Sequence, residues 1–162
     1  MHHERHPLAA LAAAILCAGS GAAVAQSCNA PVAYPSEPNP VSGTTCGGES
    51  IVLSACSQVT VGPSFVFSLS IGSHPTAEFQ LSSSPPTRLQ LMLIGEDCNG
   101  DVCHGLVTSD GGVLSLAEVP PGRYNLVVTT AWDELPDTCG PFSILLTGSV
   151  GDDDLLFADG FD

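Results

Sequence analysis

Asp97, Asn99 and Asp101 place three oxygen-bearing side chains at alternate positions, the spacing with which a calcium loop begins. A complete loop of that type continues with glycine at its sixth position and a bidentate glutamate at its twelfth. Val102 and Thr108 stand there instead, so Glu96 or Asp110 would have to complete a different cage. Calcium is therefore the one candidate cofactor, and a disulfide-closed acidic turn without metal is the reading these residues favour. Nucleophilic hydrolysis needs a serine or cysteine beside a base. Beyond the first 25 residues the histidines are His74 and His104, each in a turn or loop, and no Gly-x-Ser-x-Gly elbow occurs. Both are read as surface histidines, and no catalytic residue is assigned. Cys98 to His104 (CNGDVCH) is two residues longer than a haem-attachment motif and has no evident second ligand. Trp132, the single tryptophan, shares strand parity with Tyr124 and raises the question of a sugar-stacking platform. Inward parity with Leu126 and Val128 assigns Tyr124 to the core, and Trp132 is expected to pack in the core or at its rim.

Residues 1–25 have the layout of a signal peptide: Arg5 among histidines, an apolar run from Leu8 to Ala18, and the small residues Ala23-Val24-Ala25 before Gln26. Residues ahead of Cys17 and Cys28 do not suit lipidation, so export as a soluble secreted or periplasmic protein is expected. Cleavage leaves about 137 residues, the length of one domain. Glu4 and Arg5 leave with the leader, so about 16 of the 17 acidic side chains remain against Arg88 and Arg123, with no lysine. That balance repels phosphate backbones and anionic lipid, which excludes nucleic acid and membrane surfaces as partners. An extracellular or periplasmic protein or polysaccharide remains.

Six cysteines follow the leader: Cys28, Cys46, Cys56, Cys98, Cys103 and Cys139. An even number in an exported domain reads as three disulfides. Local spacing favours Cys98–Cys103 across Asn99-Gly100 and Cys46–Cys56 across Gly47-Gly48, which leaves Cys28 for Cys139.

The elements that must position these residues are strands. VLSLAEVPPGRYNLVV (113–128) holds two arms of period-two alternation around a Pro-Pro-Gly break. Val119, Pro121, Gly122 and Tyr124 fit a tyrosine corner, a crossing between two sheets at which the phenol bonds nearby backbone. Further strands are expected at 51–53, 65–71, 77–81, 88–94, 106–108 and 142–150, with Met92 and Ile94 requiring cover on the second face of theirs. Gly62-Pro63 reads as a turn and Asp110-Gly111 as a hairpin signal. Residues 26–45, punctuated by Pro31, Pro35, Pro38 and Pro40, read as an extended, linker-like arm. The fold class is an all-β antiparallel sandwich of about eight strands over 46–150, followed by the acidic-aromatic tail GDDDLLFADGFD.

The Cys46-Gly47-Gly48 lead-in, FVFSLSI (65–71), LQLMLIG (89–95), the P-P-G-R-Y-N-L-V-V turn and the C-G-P-F-S-I-L-L-T ending together resemble the bacterial pre-peptidase C-terminal domain. Pro120, Gly122 and Tyr124 match the Pro-x-Gly-x-Tyr turn of that family over a likeness spanning roughly 45–150. The resemblance implies a small secreted β-sandwich, here with little chain left for a catalytic domain. RLQLM (88–92) departs from the aspartate-rich strand usual in the family, and with it goes any calcium role of those aspartates. The tail is similar to the short "FADGF" ending of exported proteins in relatives of Lysobacter and Xanthomonas, which implies a terminal address or processing tag. A last strand or flap on the sandwich is the equal alternative. The function expected is a secreted non-catalytic binding or accessory module. The alternatives are a calcium-dependent carbohydrate- or protein-binding domain and, further off, an exported hydrolase.

Overall fold

The computed structural model describes residues 27–99 and 101–151, so the expected leader (1–25) and the tail from 152 lie outside the described residues. Among the described residues, strands account for all the regular structure: β1 (Val32–Ala33), β2 (Val41–Thr44), β3 (Ser50–Ala55), β4 (Gln58–Pro63), β5 (Phe65–Ile71), β6 (Glu78–Ser83), β7 (Leu89–Gly95), β8 (Cys103–Thr108), β9 (Leu114–Ser115), β10 (Gly122–Thr130) and β11 (Pro141–Thr147). Among the described residues no helix is long and apolar enough to cross a membrane.

One sheet runs β1-β5-β10-β7-β8 and faces a second, β2-β11-β6-β9; β3 and β4 pair as a separate hairpin. All pairings are antiparallel except β1 with β5. This is an antiparallel β-sandwich. Alternation dictates the filling between the sheets. Phe67, Leu69 and Ile71 of β5, Leu89, Leu91 and Leu93 of β7, and Tyr124, Leu126 and Val128 of β10 meet Phe79, Leu81, Phe142 and Ile144 from the opposite sheet. Tyr34 enters this core edge-on to Phe67 and Phe79, at ring separations of 5.2 and 5.4 Å.

The opposite parity of the same strands is buried too. Val66, Met92, Ile94 and Val127 form a second apolar cluster with Leu53 and Ala55 of the hairpin. The cover that Met92 and Ile94 demand is thus a third layer, supplied by β3 and β4. Gly62 allows its close seat: a Cβ there would press on the Thr130 side chain and lie 3.0 Å from the Pro136 carbonyl oxygen. Thr60 Oγ1 donates to the Thr130 carbonyl at 3.3 Å, and Ser64 Oγ donates to Thr129 Oγ1 at 2.8 Å.

Several expectations are corrected. Gly62-Pro63 lies within a strand, because Ser50 pairs with Pro63 and Ile51 with Gly62 along the hairpin. The 26–45 arm is not a linker: β1 pairs with β5, β2 pairs with β11, and Tyr34 and Val41 are buried. Asp110-Gly111 does not join hairpin partners, since β8 and β9 belong to different sheets. Gly111 and Gly112, at φ of 132° and 113°, turn the chain from one sheet to the other.

The disulfides are Cys28–Cys98, Cys46–Cys139 and Cys56–Cys103, so the six cysteines are paired but none of the expected connectivities occurs. Layering decides the partners where chain spacing does not. Thr44 is opposite Pro141 in the β2–β11 pair, which sets Cys46 beside Cys139. Cys56, at the hairpin tip, lies across the sheet from the first residue of β8, Cys103. Three disulfides belong to a fold made in an oxidising, non-cytoplasmic environment.

The chain crosses between sheets from β9 to β10, and there Tyr124 Oη donates to the Pro120 carbonyl at 2.8 Å. Tyr34 offers the contrast: its hydroxyl is buried with no hydrogen-bond partner among the described residues, and burial pushes its pKa up to about 12. Tyr124→Phe is expected to cost about 1 kcal/mol in denaturant unfolding, whereas Tyr34→Phe is expected to be neutral or stabilising. The Tyr34 pKa, raised above the ordinary 10.0, leaves stability intact below pH 10 and erodes it as pH climbs toward 12. Tyr34→Phe should abolish that alkaline loss.

Candidate functional site

In the loop between β10 and β11, Asp133 and Glu134 are drawn to Arg88 at the surface, while Trp132 and Leu135 stand in solvent at 56% and 76% exposure. Trp132 is thus outside the core and partly exposed, because β10 ends at Thr130 and the parity that buries Val128 stops with it. Arg88, immediately before β7, is the brace. Its Nε donates to Asp110 at 2.6 Å, its Nη1 donates to Asp133, and Glu134 Oε1 lies 4.0 Å from Nη1. The Arg88 carbonyl accepts from Ala131 N at 3.2 Å.

Backbone bonds finish the loop. Glu134 N donates to the Ala131 carbonyl at 3.0 Å, Thr138 N donates to the Leu135 carbonyl at 2.9 Å, and Thr130 Oγ1 donates to the Thr138 carbonyl at 2.7 Å. Cys139 then fastens the far end to Cys46. The hydrogen bond from Arg88 holds the Asp133 carboxyl below its ordinary value of 3.8, against a weaker upward pull from burial. A depressed aspartate pKa stabilises above the ordinary value and loses that contribution as pH falls through the lowered one. Acidification below about pH 4 is expected to loosen this loop, seen as a change in Trp132 emission. Arg88→Gln should show the loosened emission already at neutral pH and no acid step.

Sequence reasoning missed Arg88 and Leu135. The available signal was scarcity: Arg88 is one of two cations outside the leader, and it precedes a strand buried on both faces. The second, Arg123, reaches Glu96 at 3.3 Å.

The expected calcium residues are not drawn into a cage. Asp97 Oδ1 accepts from Asn99 N at 3.4 Å and Asn99 Oδ1 accepts from Asp101 N at 2.9 Å, so each closes a local turn. Glu96 faces Arg123 and Asp110 faces Arg88, which commits the two groups that were to complete the set. No group of three His, Cys, Asp or Glu arranged for a metal occurs among the described residues. Among the described residues these side chains serve local turns and ion pairs, and the disulfides of Cys98 and Cys103 remove them from haem attachment.

At the tyrosine corner a recess of about 430 Å³ is lined by Cys103, His104, Ser115, Ala117, Glu118 and Val119. The His104 ring stands edge-on to Tyr124 at 4.9 Å. Cys103 is oxidised, and the Ser115 hydroxyl accepts from Ala117 N at 3.4 Å. His74 sits in the turn between β5 and β6 with φ of 54°. The hairpin adds a further apolar surface, with Val52 and Val59 68% and 60% exposed on its outer side. No family model matches the chain, and the comparisons with curated proteins and with solved structures return no match.

Proposed function

We propose that this chain is an exported, non-catalytic binding or accessory module, a pre-peptidase C-terminal-like sandwich acting in the periplasm or outside the cell. The observation that carries the reading is the Trp132–Leu135 loop. Asp133 and Glu134 are held by Arg88 while two large apolar side chains of the same braced loop are kept in water. Two large apolar side chains exposed on one braced loop suit a contact surface. The cross-linked sandwich supplies the rigid frame, and the six cysteines of the described residues are all oxidised.

The test is co-sedimentation of the mature protein with two washed materials, insoluble polysaccharide and envelope protein, with Leu135→Ser and Trp132→Ala in parallel. Retention on one of them, weakened in the variants and without release of soluble product, is the expected result. Passage through both overturns the binding role, and release of sugar or peptide overturns the non-catalytic one.

A further inference from the structure

We propose that the Trp132 loop is a stacking platform for the pyranose rings of a neutral polysaccharide, an inference that rests on the binding-module reading and names its ligand. Three observations converge. The first is the indole itself. It is exposed, yet its loop is closed by backbone bonds, by Arg88 and by a disulfide, so it meets a ligand with little ordering left to do. An indole face is electron-rich and attracts the C–H hydrogens on the apolar side of a sugar ring.

The second is the polar company. Asp133 and Glu134 directly follow Trp132, and Asp110 and Arg88 complete one connected set. All four side chains keep part of their surface in solvent, between 26% and 53%. Ring hydroxyls both donate and accept, and this set offers carboxylate acceptors beside a guanidinium donor. Because the carboxylates are held by Arg88, they are oriented before a sugar arrives.

The third is charge. At a formal net charge of −14, with both arginines of the described residues committed to carboxylates, the surface repels uronic and sulfated polymers. Neutral glycans carry no such penalty. Trp132 and Leu135 are both exposed on this loop, which suits successive rings of a chain more than a single monosaccharide.

The single tryptophan makes the test direct. Mature protein is titrated with soluble neutral polysaccharides (β-glucan, α-glucan, xylan, mannan and chitin oligosaccharides) and with alginate, reading Trp132 emission. A saturable blue shift with at least one neutral polymer and none with alginate is expected. By calorimetry with that polymer, Trp132→Ala should bind roughly tenfold or more weakly, Trp132→Tyr should recover part of the loss, and Arg88→Gln should be intermediate. Equal melting temperatures for wild type and Trp132→Ala would confirm that the exposed substitution leaves the fold intact. Unchanged emission across the neutral panel, equal binding of alginate, or full affinity in Trp132→Ala overturns the proposal. Retention on envelope protein with a silent polysaccharide panel overturns it while leaving the binding-module reading standing; failure of both materials sinks both.

Discussion

Reduction of all three disulfides is expected to unfold the chain at room temperature without denaturant. The bridges span 93, 70 and 47 residues. In the chain-entropy account each restrains the unfolded state by about 4–5 kcal/mol, so their loss together approaches or exceeds the ~5–15 kcal/mol that hold a typical domain. Near-ultraviolet circular dichroism after treatment with a phosphine reductant should lose its fine structure, and amide resonances should collapse. Cys46→Ser/Cys139→Ser alone is expected to remain folded with a melting temperature lowered by roughly 15–20 °C. The β2–β11 pairing still joins those ends, through Thr45 N to the Gly140 carbonyl at 3.0 Å and Gly140 N to Thr45 Oγ1 at 3.1 Å. A reduced protein with native dispersion would show that the three layers hold without their cross-links.

Val127→Asp is expected to cost about 3–5 kcal/mol, the scale of an unpaired charge under a packed layer. Val127 is fully buried between β10 and the hairpin, among Val66, Met92, Ile94 and Leu53. Arg88 and Arg123 are engaged elsewhere, so no cation is to hand. The new carboxyl would be driven to its neutral form, and the deficit should shrink as pH falls through its raised pKa. Ser54→Asp, on the exposed side of the same hairpin, is the control and should change stability by no more than about 0.5 kcal/mol. Equal, small effects at both sites would mean that the hairpin does not bury the sheet beneath it.

The sandwich was legible because its two central signals are local. FVFSLSI and RLQLMLI carry their burial in their own alternation, and the Pro-Pro-Gly-x-Tyr turn announces a crossing of sheets. What was not legible depends on partners distant in the chain. Val32–Ala33 and Val41–Thr44 are too short and too proline-flanked to read as strands; β5 and β11 make them so. The disulfides follow the same rule, since each bridges segments brought together by layers rather than by turns. Trp132 and Leu135 were obscured differently. Alternation predicts facing only while a strand lasts, and nothing in the string Trp-Asp-Glu-Leu tells that the two acids will be held by a distant cation. That outcome is set by Arg88, 44 positions before Trp132.

The pairing of β2 with β11 has a temporal meaning. The first half of the amino-terminal arm finds its sheet partner in β5, but the second half has none until the last strand exists. In a chain made from its amino end, β2 therefore stays unpaired until nearly all of it has been synthesised. Closure is late and non-local, the kind that makes folding slow. The second sheet is thus completed only by joining the two ends of the described chain.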